Sequence, residues 1–85
     1  MQVEFETKAM KDLKVITSSD RARILAKIEQ YARNPESLAN QVKQLVGSPF
    51  HRLRVGDYRV IFSLIDDTVA VMVVIRVRHR REAYD

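Results

Sequence analysis

Residues 53–62, LRVGDYRVIF, decide the fold, because apolar and polar side chains alternate on both sides of a two-residue break. Such alternation is typical of strands with one buried face, and Gly56 with Asp57 is typical of the tight turn that joins two of them. A third run, TVAVMVVIRVRH (68–79), is rich in β-branched residues and follows a second short break at Asp66 and Asp67. The second half of the chain therefore predicts three antiparallel strands in a meander.

The first half of the chain predicts one strand and two helices. Residues 2–6 alternate as a short strand, and Thr7 is a plausible N-cap for a first helix with the apolar stripe Met10, Leu13 and Ile16. Ser18 or Ser19 can cap a second helix, which Asn34 and Pro35 end. Its apolar stripe consists of Ile24, Leu25, Ile28, Tyr31 and Ala32. Residues 36–49 are expected to form one helical turn near Leu38 and then a loop.

The order β-α-α-β-β-β predicts an α+β fold, in which two helices pack on one face of a small antiparallel meander. The 85 residues allow one domain, residues 1–85. The start of the chain lacks the pattern of a signal peptide, and the longest apolar stretch, residues 69–75, is far short of the roughly 20 residues that span a bilayer. We therefore expect a cytoplasmic protein without membrane contact. The absence of cysteine excludes disulfides and thiolate chemistry.

Arginine is concentrated in the last three predicted strands. Residues 50–85 contain seven arginines and no lysine, within a formal net charge of +4. Guanidinium groups suit bidentate recognition of phosphate and stay charged. Alternation along the last strand predicts a face beneath the helices with Val69, Val71, Val73, Ile75 and Val77. The opposite face would carry Ala70, Met72, Val74, Arg76, Arg78 and Arg80.

Further arginines are expected on the same surface. Arg52 and Arg54 share a face of their strand, and Arg59 follows across the turn, so up to six arginines converge. Like charges at this spacing repel, which a bound anion or water must offset. A solvated strand face explains Arg76 and Arg78 taken alone, whereas the combination of Arg52, Arg59 and Arg80 favours a phosphate-binding site.

Three other side chains carry candidate chemistry. Terminal tyrosines commonly anchor packing, but positive charge near Tyr84 would favour its phenolate form, which suits a general base. His79 and His51 are reserve candidates, because each points away from the neighbouring arginine of its strand. The two histidines lack metal-ligand spacing, so neither a metal site nor a cofactor is expected.

LRVGDYRVIF (53–62), the valine-rich strand and RHRREAY (78–84) together resemble the RelE/ParE superfamily of type II toxin-antitoxin toxins, most of all its RelE branch. The resemblance spans the whole chain and implies a RelE-like, microbial RNase-like fold. It also implies a metal-independent endoribonuclease (mRNA interferase) that cleaves mRNA in the ribosomal A site through the substrate's own 2′-hydroxyl. The implied partners are the ribosome with bound mRNA and a cognate antitoxin, which neutralises the toxin in a hetero-oligomer.

The resemblance also assigns roles to residues. Arg59 would stabilise the scissile phosphate, Arg80 would stabilise charge or protonate the leaving 5′-oxygen, and Tyr84 would act as general base or stacking residue. Arg52 falls at a position that is basic in RelE toxins, and further RNA contacts are expected from Arg54, Arg76 and Arg78. The chain departs from some relatives at Phe50, where a lysine is missing and His51 or Arg54 would substitute, and in the shorter segment 80–84.

Two other functions remain open from the sequence. A ParE-like toxin would inhibit DNA gyrase by protein binding, without nuclease chemistry. A basic RNA- or protein-binding module that has lost catalysis would share the same surface charge.

Overall fold

The structure is a computed structural model and describes residues 1–66 and 69–81. The first half of the chain forms β1 (Gln2–Phe5), α1 (Thr7–Lys14), α2 (Ser18–Arg33) and a 3-10 segment (Pro35–Gln41). The second half forms β2 (Val42–Gln44), β3 (His51–Val55), β4 (Tyr58–Asp66) and β5 (Ala70–His79). The α+β fold and both amphipathic helices are confirmed. Helix α2 begins slightly before its predicted cap, since Thr17 occupies the N-cap position.

The strands form one mixed sheet in the order β1-β5-β4-β3-β2. β3, β4 and β5 pair antiparallel as the predicted meander, but β1 lies parallel to β5, with Gln2 opposite Val71. The predicted meander is therefore confirmed for these three strands, whereas the sheet as a whole is mixed. The β1–β5 pair joins the two ends of the described chain, and the alternation within a strand carries no information about such a distant partner.

The residues predicted as a loop before β3 contain the short strand β2. Its three residues pair antiparallel with β3, and Val42 lies opposite Leu53 and packs against the core. Three residues are too few to show the alternation of a strand in the sequence. These residues form a strand because they pair with β3 and because Val42 packs against the core.

One hydrophobic core lies between the helices and one face of the sheet. Its largest fully buried side chains are Phe62, Ile24, Ile28, Leu53, Met72, Val60 and Val74. The rings of Tyr31 and Phe62 meet at 5.1 Å, and burial raises the pKa of Tyr31. Met10 and Leu25, predicted in the apolar stripes, are 53% and 38% exposed, so each helix buries a narrower face than expected.

Strand β5 changes face at Ile75. Phe62 pairs with Val74, but the preceding Ile61 pairs with Arg76, so Ile75 is the extra residue of a β-bulge. As a result Met72, Val74 and Val77 are all buried. The prediction that Val69, Val71, Val73 and Ile75 face the helices was wrong, and that for Val77 was right. The extra residue reverses which side chains of β5 face the helices after the bulge. The bulge becomes visible only when β5 is aligned with its partner strand β4.

Candidate active site

A cavity of about 540 Å³ lies at the end of the sheet where β3 turns into β4. Three arginines named from the sequence line it, namely Arg54 of β3, Arg59 of β4 and Arg80, which follows β5. The remaining lining residues are Arg23, Lys27, Gln41, Val55 and Gly56. The fold thus brings arginines from three sheet segments to one cavity, and α2 adds two further cations.

Strand register places the sheet arginines. Arg54 lies opposite Arg59, and Arg59 lies opposite Arg78 on its other side. The backbone N–H of Arg80 donates to the Asp57 carbonyl at 2.7 Å, which continues the pairing past the end of β5. The Arg80 guanidinium also lies 3.9 Å from the Asp57 carboxylate. Arg80 is therefore held above the β3–β4 turn.

Gly56 brings α2 close to this turn. Its φ of +57° is a conformation that residues with a side chain rarely adopt. A Cβ atom at this position would also lie 3.3 Å from the guanidinium of Arg23. The same guanidinium donates to Asp20 at 2.9 Å. Glycine at the turn therefore allows both the tight backbone and the approach of Arg23.

Positive charge dominates the cavity. Five of its lining residues are cationic and, among the residues that the structure describes, none of the lining residues is acidic. Asp20 and Asp57 approach Arg23 and Arg80 from the rim. Repulsion between like charges at short range is relieved by an anion. The described lining can bind phosphate oxygens and stabilise developing negative charge, because guanidinium groups donate charge-assisted hydrogen bonds.

Arg52 and Arg78 lie beside the cavity, on the sheet face that points away from the helices. Their strand neighbours Leu53 and Val77 are buried in the core. The Nε atoms of both arginines are buried and have no hydrogen-bond partner within residues 1–66 and 69–81. An unsatisfied buried donor costs about 1–3 kcal/mol. Both groups would therefore gain from an acceptor such as a phosphate oxygen.

Arg76 lies elsewhere, at the bulge of β5. It donates to both carboxylate oxygens of Asp12 on α1, at 2.8 and 3.1 Å, and Asp12 also accepts the N–H of Val77 at 2.9 Å. Partial burial raises the pKa of Asp12, but the bonds from Arg76 and Val77 and the charges of Arg76 and Arg78 outweigh this. The pKa of Asp12 is consequently below its usual value, and the cation predicted to bind RNA is ion-paired.

The two histidines lie outside the cavity lining. The ring of His51 stacks on Phe62 at 5.4 Å. The ring of His79 meets Tyr58 edge-on at 5.3 Å, and its Nδ1 accepts the N–H of Arg81 at 3.2 Å. Tyr84, assigned as general base by resemblance, lies outside the described residues.

The sequence did not predict Arg23 and Lys27 as site residues, because the clear signal in α2 is its apolar stripe. Their spacing of four residues places both on one side of the helix, and this was the available signal. Within the described part of the chain, His, Asp and Glu residues do not cluster in threes that could hold a metal ion. None of the described helices has the length and apolar character needed to cross a membrane.

Comparison with known proteins identifies the family. The model of the ParE toxin family of type II toxin-antitoxin systems, parDE, matches residues 3–84. Toxin RelE3 of Methanocaldococcus jannaschii is 35% identical over 89 residues, covering 100% of this chain and 97% of the relative. The mRNA interferase toxin RelE of Escherichia coli is 26% identical over 83 residues, covering 96% and 87%.

A solved structure agrees with these relatives. The RelB-RelE antitoxin-toxin complex from Methanococcus jannaschii contains a chain that matches with a TM-score of 0.75 and 31% identity. The match covers 96% of this chain and 95% of that one. The fold, the family model and the relatives agree, and the chain belongs to the RelE-like branch of the RelE/ParE superfamily of type II toxin-antitoxin toxins.

Proposed function

We propose that the chain is the toxin of a type II toxin-antitoxin system and cleaves mRNA as an endoribonuclease. The observation that carries the proposal is the convergence of Arg54, Arg59 and Arg80 on one cavity whose described lining is free of carboxylates. A cluster of fixed cations is suited to a substrate with phosphate groups. The name of the Escherichia coli relative, mRNA interferase toxin RelE, supports the same activity.

The chemistry follows from the charge that develops during RNA cleavage. The 2′-oxygen attacks the adjacent phosphorus and the bond from phosphorus to the 5′-oxygen breaks, which leaves a 2′,3′-cyclic phosphate and a 5′-hydroxyl. A base accepts the 2′-hydroxyl proton, and an acid donates a proton to the 5′-oxygen. Arg59 and Arg80 would stabilise the negative charge on the phosphate oxygens. One preorganised interaction of this kind is worth about 2.7–4 kcal/mol.

The general base is proposed from the family match. Tyr84 matches the terminal tyrosine of RelE toxins, and His79 stays a reserve candidate. In the described structure His79 packs against Tyr58 and lies outside the cavity lining. Arg52, Arg54 and Arg78 would bind RNA from the sheet face beside the cavity.

The ribosome would supply most of the substrate positioning. A domain of 85 residues has little surface for reading RNA sequence. Holding two reactants in the correct geometry contributes about 7–11 kcal/mol to a reaction in favourable cases. A toxin that enters the A site obtains this alignment from the ribosome and its bound mRNA.

A cognate antitoxin is the second proposed partner. The described helices cover one face of the sheet, and the opposite face carries the half-buried Ile61, Val71 and Val73 beside the arginines. A segment that combines apolar and acidic side chains fits such a face. The antitoxin-toxin complex among the solved structures supports an antitoxin as partner.

A gyrase inhibitor is the alternative, since the matching family model is named for ParE toxins. A non-catalytic inhibitor acts through a protein surface and does not require arginines fixed around a cavity. The two functions differ in their effect on the cell: the nuclease removes intact mRNA, whereas the gyrase inhibitor reduces DNA supercoiling.

Primer extension on translated mRNA after induction tests the nuclease. The unsubstituted chain should produce cuts within translated codons. Arg59→Ala should reduce them about 100-fold or more, because it removes one group that stabilises the transition state. Arg33→Ala is the matched control, since Arg33 lies on the exposed side of α2 and pairs with Glu29. Co-expression of the cognate antitoxin should abolish the cuts.

One result would contradict the role assigned to Arg59, and another would contradict the nuclease itself. Cuts that persist at full level in Arg59→Ala would remove this residue from catalysis. Intact mRNA together with falling supercoiling in cells that express the unsubstituted chain would establish the gyrase inhibitor instead.

A further inference from the structure

The cavity has two walls that come from different layers of the fold. Arg54, Arg59 and Arg80 belong to the sheet, whereas Arg23 and Lys27 come from α2. These two helix residues are one turn apart. The nuclease proposal uses the sheet arginines alone, so the wall formed by Arg23 and Lys27 has no assigned role.

The helical wall is fixed against the sheet. Ile24 and Ile28, each next in sequence to one of the two cations, are fully buried in the shared core. Arg23 donates to Asp20 at 2.9 Å, and its guanidinium lies near the Gly56 turn. Lys27 is half-buried and its Nζ donates to Oε1 of Gln30 at 3.3 Å. An anion that enters the cavity therefore meets two cations on a helix whose backbone is already packed against the sheet, so that backbone need not be ordered on binding.

The charge of the cavity exceeds what one phosphate neutralises. Five lining cations and two rim carboxylates leave a formal excess of three positive charges. A phosphodiester carries one negative charge, so a single scissile phosphate leaves most of this excess uncompensated. A strand with consecutive phosphates supplies the additional charge, because its backbone carries one charge per nucleotide.

We propose that Arg23 and Lys27 form a second phosphate-binding site, which holds a neighbouring phosphate of the same RNA strand while the sheet arginines hold the scissile one. This inference rests on the proposed function and adds a positioning role for α2. Hydrogen bonds to backbone phosphates fix register and orientation and are independent of base sequence. The helical wall therefore aligns the strand and does not select codons.

Binding of two uncleavable RNA probes to the purified full-length chain tests the site. Both probes carry 2′-O-methyl groups; the short one is a dinucleotide with one phosphodiester, and the long one is a pentanucleotide. Arg23→Ala combined with Lys27→Ala should weaken binding of the long probe about 10- to 100-fold at low salt, since two charged hydrogen-bond donors are removed. Binding of the short probe should change less than about twofold, because the sheet arginines that bind it are intact.

Salt dependence provides an independent readout. In the double variant, the slope of log affinity against log salt for the long probe should fall by about 0.7 for each phosphate that is no longer neutralised. Lys11→Ala combined with Lys14→Ala is the matched control, because it removes the same charge from exposed positions on α1. This control should keep the affinity within about threefold and the slope unchanged, since distant surface charges are screened. Arg59→Ala should weaken binding of both probes.

Several results would overturn the inference. The helical wall does not bind phosphate if the long probe binds the α2 variant as tightly as the unsubstituted chain. Equal losses of affinity in the α2 variant and in the α1 control would show an effect of net charge alone. An equal loss of affinity for both probes in the α2 variant would show that the helix and the sheet form a single phosphate site. Failure of the unsubstituted chain to bind the long probe would also contradict the proposal.

The inference and the nuclease can fail separately. Full cleavage of ribosome-bound mRNA and unchanged RNA affinity in the α2 variant would remove the second site and leave the nuclease. Absence of cleavage by the unsubstituted chain, together with binding of the long probe through α2, would remove the nuclease and leave the RNA site. The side chain of Arg23 is 57% exposed, so its replacement should leave the chain folded.

Discussion

Asp12 joins α1 to the bulge of β5. One of its oxygens accepts both the N–H of Val77 and the Nε–H of Arg76, and the other accepts from the same guanidinium. The carboxylate thus fixes the backbone at the point where β5 changes face. The side chains that follow the bulge depend on this register, among them Arg78, which lies opposite Arg59.

Asp12→Asn should lower the free energy of unfolding by about 1–3 kcal/mol at neutral pH, because the guanidinium loses a charged acceptor in a half-buried position. The pKa of Asp12 is lowered in the folded chain, so its contribution is complete above the unfolded pKa of about 4 and is lost as pH falls through the folded value. Urea unfolding of both proteins between pH 7 and pH 2 measures the difference.

Glu29→Gln is the control for Asp12→Asn. Glu29 pairs with Arg33 on the exposed side of α2, where an ion pair contributes less than about 1 kcal/mol. A stability difference for Asp12→Asn that stays constant down to pH 2 would contradict the assigned ion pair.

Individual residues of the site were predictable to different degrees. Arg54 and Arg59 were placed together from alternation and a two-residue turn, which are local features of the sequence. The pairing of Arg76 with Asp12 was not predictable, because these residues are 64 positions apart. In addition, the bulge next to Arg76 breaks the simple alternation of side chains along β5. The contribution of Arg23 and Lys27 to the cavity was also not predictable. Their spacing places them on one side of α2 but does not show which part of the sheet that side faces.

At the scale of elements, Arg21 connects the two helices. Its Nε donates to the Leu13 carbonyl at 2.8 Å, and one terminal nitrogen donates to the carbonyls of Ile16 at 2.8 Å and Lys14 at 3.3 Å. The last carbonyls of a helix lack partners within the helix itself. An arginine from the start of α2 therefore satisfies the end of α1 and fixes the connection between them.

Arg21→Ala should lower the melting temperature by about 5–15 °C, because three carbonyls lose the charged donor of Arg21 and a domain of this size shifts by about 4–8 °C per kcal/mol. Leu13 keeps the N–H of Ile16 as a donor at 3.3 Å. Scanning calorimetry measures the change. Arg33→Ala, a replacement of the same type on the exposed side of α2, should change the melting temperature by only a few degrees. Equal effects of both replacements would show that Arg21 does not hold the helices together.

The sequence predicted the elements in which a helical or alternating pattern repeats several times. It did not predict the features that depend on pairing with another strand. The meander and both helices have enough alternating or helical positions to be recognised. β2 has three residues and exists through its pairing with β3, and the parallel position of β1 depends on a strand near the other end of the chain. The bulge at Ile75 likewise appears only when β5 is aligned with β4.

At the scale of the whole molecule, the residues of the proposed function are concentrated where the two layers meet. The helices and the sheet share one core, and the cavity opens where α2 passes the β3–β4 turn. The formal net charge of +4 is modest, but five cations line this one cavity. In the proposed function, this site holds RNA phosphates, and the ribosome aligns the reacting atoms.

Ribosome dependence in a purified system tests the proposed nuclease most directly. The purified chain is mixed with mRNA that is either free or bound to ribosomes with an empty A site, and the cleavage rates are measured. We predict cleavage at the A-site codon of bound mRNA, and at least about 100-fold slower cleavage of free mRNA, because positioning by the ribosome is missing. Equal cleavage of both, or intact mRNA in both, would contradict this mechanism.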